Sequence, residues 1–279
     1  MYLDRNYIYD KVKEALREDA PYGDITSQFT IDPETRSRGR IWSKSEGVLA
    51  GIEVAKAAFD LADPEGSVVF LKSDGDRLNY GDVICEVEGT ARGILTAERI
   101  ALNFLQRMSG IATMTRTLVD AVSHTKARIV DTRKTTPLLR MFEKYAVRCG
   151  GGINHRTGLS DGILIKDNHI IAAGGITRAV EKVRNKAPHT LKIELEIKSL
   201  AQLQEALDAG ADIVMLDNFA PEDMKKAVNA AGGKALLEAS GGINADTVRA
   251  VAETGVDIIS VGALTHSVKA LDISLDLDD

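Results

Sequence analysis

The sequence DTRKTTPLLRMFEKYAVRCGGGINHRTGLSDGILIKDNH, residues 131–169, decides how the rest of the chain is interpreted. It carries seven lysine and arginine residues against four acids, which gives it a formal charge of +3, whereas the whole chain has a formal net charge of −6. A local excess of positive charge on an acidic protein favours a small, strongly anionic ligand, because a nucleic-acid polymer would need a broader basic surface.

The cations of this stretch follow the ends of two predicted strands. Residues 128–132 and 162–166 are short runs rich in apolar residues. Arg133 and Lys134 come just after the first run, and Lys166 ends the second. Charged residues at the C-terminal ends of parallel strands are typical of the active face of α/β proteins. The alternative is that these are solvated loop charges, as most charged residues are.

Between the two strands the sequence predicts a helix followed by a flexible loop. The helix is expected over residues 137–148, with Pro137 in its first turn. The glycines at 150–152 would end it and let the backbone turn freely. His155 and Arg156 follow in the loop, close to the predicted strand ends.

From residue 128 onward, short β-branched runs alternate with helical runs, which predicts parallel strands joined by helical crossovers. Six or seven such repeats without a GxGxxG motif favour a barrel over an open sheet. The predicted strands are 128–132, 162–166, 191–197, 212–216, 235–239 and 257–261. The predicted helices are 137–148, 175–187, 199–209, 221–231 and 245–254.

The first hundred residues predict a different unit, α+β with mostly antiparallel strands. A long amphipathic helix is expected over 97–122, with Thr96 as its N-cap. Arg99 lies at the start of that helix, off its apolar stripe, and the pattern alone leaves open whether it is a solvent-facing charge. Residues 267–279 predict a last strand that returns to the first unit, followed by an acidic tail.

Acidic residues also occur near the predicted strand ends. Glu194 and Glu196 alternate with apolar residues, so both carboxylates face the same way, which in a barrel strand is inward. Asp217 follows the apolar run 213–216. Buried carboxylates need a cation, a metal or ligand hydroxyls, and this set suits Mg²⁺ and ribose hydroxyl groups. A structural salt-bridge network lining the barrel is the alternative.

Glycine-rich turns follow the last two predicted strands. Ser240, Gly241 and Gly242 come after one, and Gly262 comes after the other. Backbone N–H groups there could approach a phosphate closely, at the place where barrels commonly bind one. His266 could donate to that phosphate or could be a surface histidine. Glycines also form turns without any ligand, so this signal is weak by itself.

Composition excludes several classes of protein. The chain is 44 % hydrophobic and 27 % charged, as soluble proteins are, and it holds no apolar run of membrane-spanning length. Its N-terminus does not resemble a signal peptide, so we expect a cytoplasmic protein. Cys85 and Cys149 form no CxxC pair, and no histidine spacing indicates zinc. We expect neither nucleic-acid nor membrane partners.

Several motifs together resemble quinolinate phosphoribosyltransferase, the carboxylating nicotinate-nucleotide pyrophosphorylase. They are TRKTTP (132–137), EKYAVRCGGGINHRTGLSDG (143–162), IKDNH (165–169), MLDN (215–218), LEASGG (237–242) and SVGALTHS (260–267). The resemblance extends from residue 23 to the C-terminus. It implies an α/β protein with an N-terminal α/β sandwich domain, 1–110, joined by the segment 268–279, and an irregular (β/α) barrel of six or seven parallel strands, 111–267.

The resemblance also implies roles for individual residues. Two quinolinate carboxylates would be held by Arg133, His155, Arg156 and Lys166, with Thr132 among the substrate-binding residues. The ribose, pyrophosphate and Mg²⁺ would be handled by Lys134, Glu196 and Asp217, with the metal on the two acids directly or through water or substrate. The phosphate would be taken by Ser240, Gly241, Gly242, Gly262 and His266. Arg99 is similar to an arginine that family members lend across a homodimer interface.

The implied reaction joins quinolinate to phosphoribosyl pyrophosphate and releases pyrophosphate and CO2, giving nicotinate mononucleotide for NAD synthesis. No nucleophile or cofactor-binding motif is evident, which fits group transfer by positioning and charge stabilisation. Two alternatives remain from the sequence: a phosphoribosyltransferase for another pyridine carboxylate such as nicotinate, and a non-catalytic sensor of phosphate ligands.

Overall fold

The computed structural model describes residues 3–278 and divides them into two compact units. The first contains residues up to 116, residues 141–151 and residues from 268 onward; the second contains 117–140 and 152–267. The segment 141–151 belongs to the first unit, although the sequence suggested the barrel for it. Met1, Tyr2 and Asp279, the last residue of the expected acidic tail, lie outside the described residues.

The first unit is built on an antiparallel sheet. Its helices are α1 (Arg5–Asp19), α2 (Ile25–Thr30), α3 (Ile52–Ala62), most of α4 (Ala91–Val122) and α5 (Arg140–Cys149). Its strands are β1 (Arg36–Ser43), β2 (Gly47–Val48), β3 (Ser67–Phe70), β4 (Arg77–Leu78), β5 (Val83–Thr90) and β12 (Ile273–Leu277). Four of them form a sheet in the order β12-β1-β5-β3, and β2 pairs with β4. The C-terminal strand therefore returns to the first unit, as predicted.

The second unit holds six parallel strands with helices between them. The strands are β6 (Arg128–Val130), β7 (Ile163–Ile165), β8 (Ile193–Ile197), β9 (Ile213–Asp217), β10 (Leu236–Ser240) and β11 (Ile258–Ser260). The helices are α6 (Asp167–Ala173), α7 (Ile176–Arg184), α8 (Leu200–Asp208), α9 (Pro221–Ala231), α10 (Val248–Ala252) and α11 (Ala263–His266). All six predicted strands are present, each within two residues of its expected start and end.

The strand order β6-β11-β10-β9-β8-β7 is that of a sheet that curls into an irregular barrel. The strands adjacent in sequence, β6 and β7, form its two edges, and among the described residues they do not pair. Instead Val130 bridges to Ile153, in the segment that leads to β7. Aliphatic residues of the strands, including Ile129, Leu195 and Leu237, are buried at 2 % exposure or less. This confirms the predicted α/β fold with an irregular parallel barrel.

Two predicted helix starts were wrong for local reasons. Helix α4 begins at Ala91, because Thr90 Oγ1 accepts from the backbone N–H of Gly93, so Thr90 rather than Thr96 is at the start. Helix α5 begins at Arg140, and Pro137 lies before it. Leu138 has a φ of 67°, which no α-helix accommodates.

Other local features follow the expected chemistry. The acidic turn at 18–26 contains the cap of α2, since Asp24 accepts from the backbone N–H groups of Thr26 and Ser27. Pro221 occupies the first turn of α9. None of the helices within residues 3–278 combines the length and apolar character that crossing a bilayer requires.

Candidate active site

The C-terminal ends of the parallel strands surround a cavity of about 580 Å³ within the second unit, which we call the rim cavity. Its walls include thirteen of the fourteen residues that the sequence predicted for the site. They are Thr132, Arg133, Lys134, His155, Arg156, Lys166, Glu196, Asp217, Ser240, Gly241, Gly242, Gly262 and His266. Leu164, Met215, Ile243, Asn244, Ser260, Val261 and Ala263 complete the lining.

Strand register explains why distant residues meet here. Asp217 pairs with Ser240 across β9 and β10, and Ser240 pairs with Ser260 across β10 and β11. Ser260 pairs in turn with Val130, the last residue of β6. The four strands therefore end next to one another, and the segments that follow them begin at the same edge of the sheet.

Arg99 is the predicted site residue that lies elsewhere. It is an exposed residue of α4 in the first unit and, in the part of the chain described, does not line the rim cavity. The pattern on the helix had left its role open, and the position on the surface is compatible with the interface role that the resemblance implies.

One wall of the rim cavity is cationic. Arg133 and Arg156 are both half-buried, and the Nε of Arg133 is buried without a hydrogen-bond partner in residues 3–278. Burial, and then the neighbouring guanidinium of Arg133, lower the pKa of Arg156. Two such guanidinium groups side by side repel each other, so an anion between them would be strongly favoured.

Two carboxylates, Glu196 and Asp217, also line the rim cavity, and we call them the carboxylate wall. Glu196 is 8 % exposed, and its Oε2 accepts from Lys166 Nζ at 2.7 Å. Asp217 ends β9 at the same opening and is half-buried. Carboxylate oxygens are the donors that Mg²⁺ prefers, so the chemistry of this pair fits that ion.

Glycines bring backbone into the cavity from two strand ends. Gly241 and Gly242 have φ values of 104° and 64°, a backbone region that favours glycine. A side chain at Gly241 would collide with the side chain of Asn218. At Gly262, where φ is ordinary, an added Cβ would lie 3.0 Å from Lys134 Cδ and 3.2 Å from His266 Cδ2. Lys134 and His266 therefore lie next to the loop that the sequence assigned to phosphate.

The segment that carries Lys134 is hydrogen-bonded to helix α11, which follows β11. Thr265 Oγ1 on α11 donates to the backbone carbonyl of Lys134 at 2.6 Å. Lys134 N–H donates to Thr132 Oγ1 at 3.0 Å. Sequence reasoning did not single out Thr265, because its hydrogen bond depends on the pairing of β6 with β11, which are far apart in the sequence.

A second cavity of about 500 Å³, which we call the inner cavity, shares His155 and Arg156 with the rim cavity. It is lined among others by Glu194 and Glu238, on β8 and β10. His155 Nε2 lies 3.0 Å from Glu194 Oε2 and 3.7 Å from Glu238 Oε1. His155 therefore contacts carboxylates inside the barrel as well as lining the rim cavity.

Sequence reasoning missed Glu238 and Asp131. Glu238 stands two residues before Ser240, hence on the same face of β10, and that spacing was the available signal. Asp131 is fully buried and accepts from the backbone N–H of His155 at 2.9 Å and from Asn154 Nδ2 at 2.5 Å. It fixes the loop that carries His155 and Arg156.

Comparison with known proteins adds an independent line of evidence. Residues 24–109 match the family model described as quinolinate phosphoribosyl transferase, N-terminal domain, and residues 111–276 match its C-terminal domain. The chain is 50 % identical over 260 residues to a protein of Bacillus subtilis named probable nicotinate-nucleotide pyrophosphorylase (carboxylating), covering 93 % of this chain and 90 % of that one. It is 47 % identical over 274 residues to the nicotinate-nucleotide pyrophosphorylase (carboxylating) of Mycobacterium leprae, covering 96 % of each.

The fold is also that of a solved structure. The nicotinate-nucleotide pyrophosphorylase of Francisella tularensis superposes with a TM-score of 0.96 at 44 % identity, over 99 % of this chain and 98 % of that one. The matches to this family therefore cover both domains and nearly the full length of the chain.

Proposed function

Because the chain belongs to the quinolinate phosphoribosyl transferase family, we propose that it transfers phosphoribosyl from phosphoribosyl pyrophosphate to quinolinate with loss of CO2. The products are nicotinate mononucleotide, pyrophosphate and CO2, a step of NAD synthesis. The observation that carries this proposal is the rim cavity, which is lined both by the cationic wall and by the carboxylate wall.

The cationic wall suits the diacid. Quinolinate carries two adjacent carboxylates, and guanidinium groups bind carboxylates through paired hydrogen bonds. Arg133 and Arg156 supply two such groups, and Lys166 supplies an ammonium group at the edge of the cavity. Gripping the diacid edge of the ring would leave the pyridine nitrogen facing the sugar.

The carboxylate wall suits the sugar. As the pyridine nitrogen bonds to C1 of the ribose, the bond from C1 to pyrophosphate breaks and positive charge develops on the sugar ring. Glu196 and Asp217, which line the rim cavity, would stabilise that charge, and Lys134 would stabilise the negative charge on the leaving pyrophosphate. Mg²⁺, when bound through Glu196 and Asp217 or through the substrate, would neutralise pyrophosphate charge. The loops at Ser240–Gly242 and Gly262, with His266, would hold the phosphate.

Decarboxylation then follows from the chemistry of the product ring. The ribosylated nitrogen is cationic, so it stabilises the electron pair left on the adjacent carbon when the bond to its carboxylate breaks. That carbon takes up a proton and CO2 leaves. The site needs to hold the ring still during this step, which the cationic wall would do through the remaining carboxylate.

The proposal includes a homodimer in the cytoplasm, in which Arg99 of one subunit completes the diacid site of the other. Its support is the exposed position of Arg99 on α4, together with the resemblance of this residue to an interfacial arginine. Both cysteines carry free thiols, which is compatible with a reducing compartment.

The test is a substrate panel with purified protein. With Mg²⁺ and phosphoribosyl pyrophosphate, we expect quinolinate to give nicotinate mononucleotide, pyrophosphate and CO2 in equal amounts, and nicotinate to give far less product because it lacks one carboxylate. Binding of phosphoribosyl pyrophosphate without turnover of any pyridine carboxylate would instead support a sensor. Turnover of nicotinate in preference to quinolinate would overturn the proposed substrate.

A further inference from the structure

The barrel interior contains a buried group of three side chains, His155, Glu194 and Glu238, which we call the interior triad. Glu194 and Glu238 are 6 % and 2 % exposed at their side chains, and His155 is 13 % exposed. One oxygen of each glutamate, Oε1, has no hydrogen-bond partner in residues 3–278. Groups so deeply buried are costly unless their protons and charges are shared among them.

The hydrogen bonds of His155 fix its proton. The backbone N–H of Arg156 donates to Nδ1 at 2.7 Å, so Nδ1 presents its lone pair and the ring proton is on Nε2. That proton faces Glu194 Oε2 at 3.0 Å. The three side chains therefore have the arrangement of a hydrogen-bonded network.

The two carboxylates of the triad cannot both be ionised at low cost. Burial, and then the charge of Glu194, raise the pKa of Glu238 to about 8. The other groups facing Glu238 are His155 and the hydroxyl of Ser260 on β11. Its paired residues on β9 and β11 are Met215 and Ile258, which carry no charge. At neutral pH Glu238 is therefore mostly a neutral acid.

The triad is connected to the rim cavity through the backbone. Glu238 contacts Glu194 and His155, and His155 accepts from the N–H of Arg156, whose guanidinium lines the cationic wall. Arg156 Nη1 also donates to the carbonyl of Gly162 at 3.2 Å. A change that turns the His155 ring would thus break its hydrogen bond to the backbone of Arg156.

We propose that Glu238 is a positioning residue for the diacid, which in its neutral form holds Glu194 and His155 so that Arg156 faces the rim cavity. The inference rests on the proposed function and goes beyond it, because Glu238 lines the inner cavity and not the rim cavity. Ionised Glu238 would disturb the hydrogen bonds of the triad and place a second negative charge beneath the site for a dianionic substrate.

The experiment measures steady-state kinetics of the full-length protein with quinolinate and phosphoribosyl pyrophosphate from about pH 6.5 to about pH 9.5, on both sides of the pKa of Glu238. Because that pKa is raised, the neutral acid is present below it and is lost as the pH rises through it. We expect the quinolinate KM of the unsubstituted protein to rise above about pH 8, while the KM for phosphoribosyl pyrophosphate changes little.

Two substitutions separate positioning from general stability. Glu238→Gln supplies a neutral hydrogen-bond donor of the same size, so we expect a low quinolinate KM at neutral pH and no rise in alkali. Glu238→Ala leaves Glu194 without that neighbour, so we expect its quinolinate KM to be raised about tenfold at neutral pH. Thermal melting of both variants reports whether they fold.

Outcomes on each side are distinct. If the quinolinate KM of Glu238→Gln still rises in alkali, the inference is overturned. It is also overturned if, at neutral pH, Glu238→Gln raises the KM for quinolinate and the KM for phosphoribosyl pyrophosphate equally. If Glu238→Ala does not fold, the pH profile of Glu238→Gln still decides. Failure of the unsubstituted protein to turn over or bind quinolinate would overturn the proposed function, and the inference with it.

Discussion

Arg133 and Arg156 both line the rim cavity, where their charges repel and burial lowers the pKa of Arg156. Such an arrangement is favourable only when an anion is present. The Nε of Arg133, buried without a partner in the described part of the chain, marks the same requirement. At the scale of single residues, the site is therefore built for a ligand with more than one negative charge.

Replacing Arg133 tests this directly. Arg133→Ala should raise the quinolinate KM by several hundred-fold, because breaking one side of a buried charge pair costs about 3–5 kcal/mol. Arg133→Lys should recover part of the loss, since an ammonium group keeps the charge but cannot form paired hydrogen bonds. The measurement is the KM for each substrate.

The matched control is Arg128→Ala, an exposed arginine at the start of β6, which should leave both KM values unchanged. A normal quinolinate KM in Arg133→Ala would show that Arg133 does not bind the diacid.

Strand alternation was enough to predict that some of the candidate site residues would lie together at the strand ends. Glu196 and Asp217 were placed by counting along β8 and β9, and both line the rim cavity. Glu238 follows the same rule on β10, yet its significance depends on His155, which comes from another segment of the barrel. Partners that meet only when the barrel forms leave no signal in a single strand.

At the scale of elements, the loops after β9 and β10 depend on each other. Asn218 has a φ of 58°, and its backbone N–H donates to the carbonyl of Ser240 at 2.8 Å. Gly241 lies so close that no side chain fits beside Asn218. The loop that we assign to phosphate is therefore shaped by its neighbour as well as by its own sequence.

Gly241→Ala should raise the KM for phosphoribosyl pyrophosphate about tenfold or more, because strain at such a backbone position is of the order of 1–3 kcal/mol and the new side chain displaces Asn218. Gly210→Ala is the matched control: its φ is 82°, but an added Cβ would meet nothing within 4 Å. It should lower the melting temperature without changing either KM. Equal effects of both variants on the KM would indicate backbone strain alone.

Elements themselves were predictable to different degrees. The six parallel strands could be located because each is a short apolar run bounded by polar residues. The start of α4 could not, because Gly93 discouraged a helix there, while in the structure an added Cβ at Gly93 would be 2.6 Å from Asp63 Cβ. A contact between distant residues, and not helix propensity, requires glycine at that position.

At the scale of the whole molecule, the proposed homodimer makes a prediction about mixing. If each diacid site uses Lys134 of its own subunit and Arg99 of the partner, Arg99→Ala and Lys134→Ala should each be nearly inactive. When the two variants are mixed and exchange subunits, the mixture should recover about a quarter of the activity of the unsubstituted protein. Half of the dimers are then hybrids, and each hybrid has one complete site out of two.

Mixing Arg99→Ala with a second Arg99→Ala preparation should recover nothing. Sedimentation or size-exclusion measurements should show dimers throughout. Recovery that is absent although hybrid dimers form would show that Arg99 does not act in the diacid site of the partner subunit.

The pairing of β12 with β1 has a consequence for how this chain is made. β1 lies between β5 and β12, so one of its edges stays open until residues 273–277 emerge from the ribosome. At ordinary speeds of translation that interval after β5 is about 10 to 40 seconds. An open edge can recruit a neighbouring nascent chain, and the arginines of β1 at positions 36, 38 and 40 oppose this by mutual repulsion.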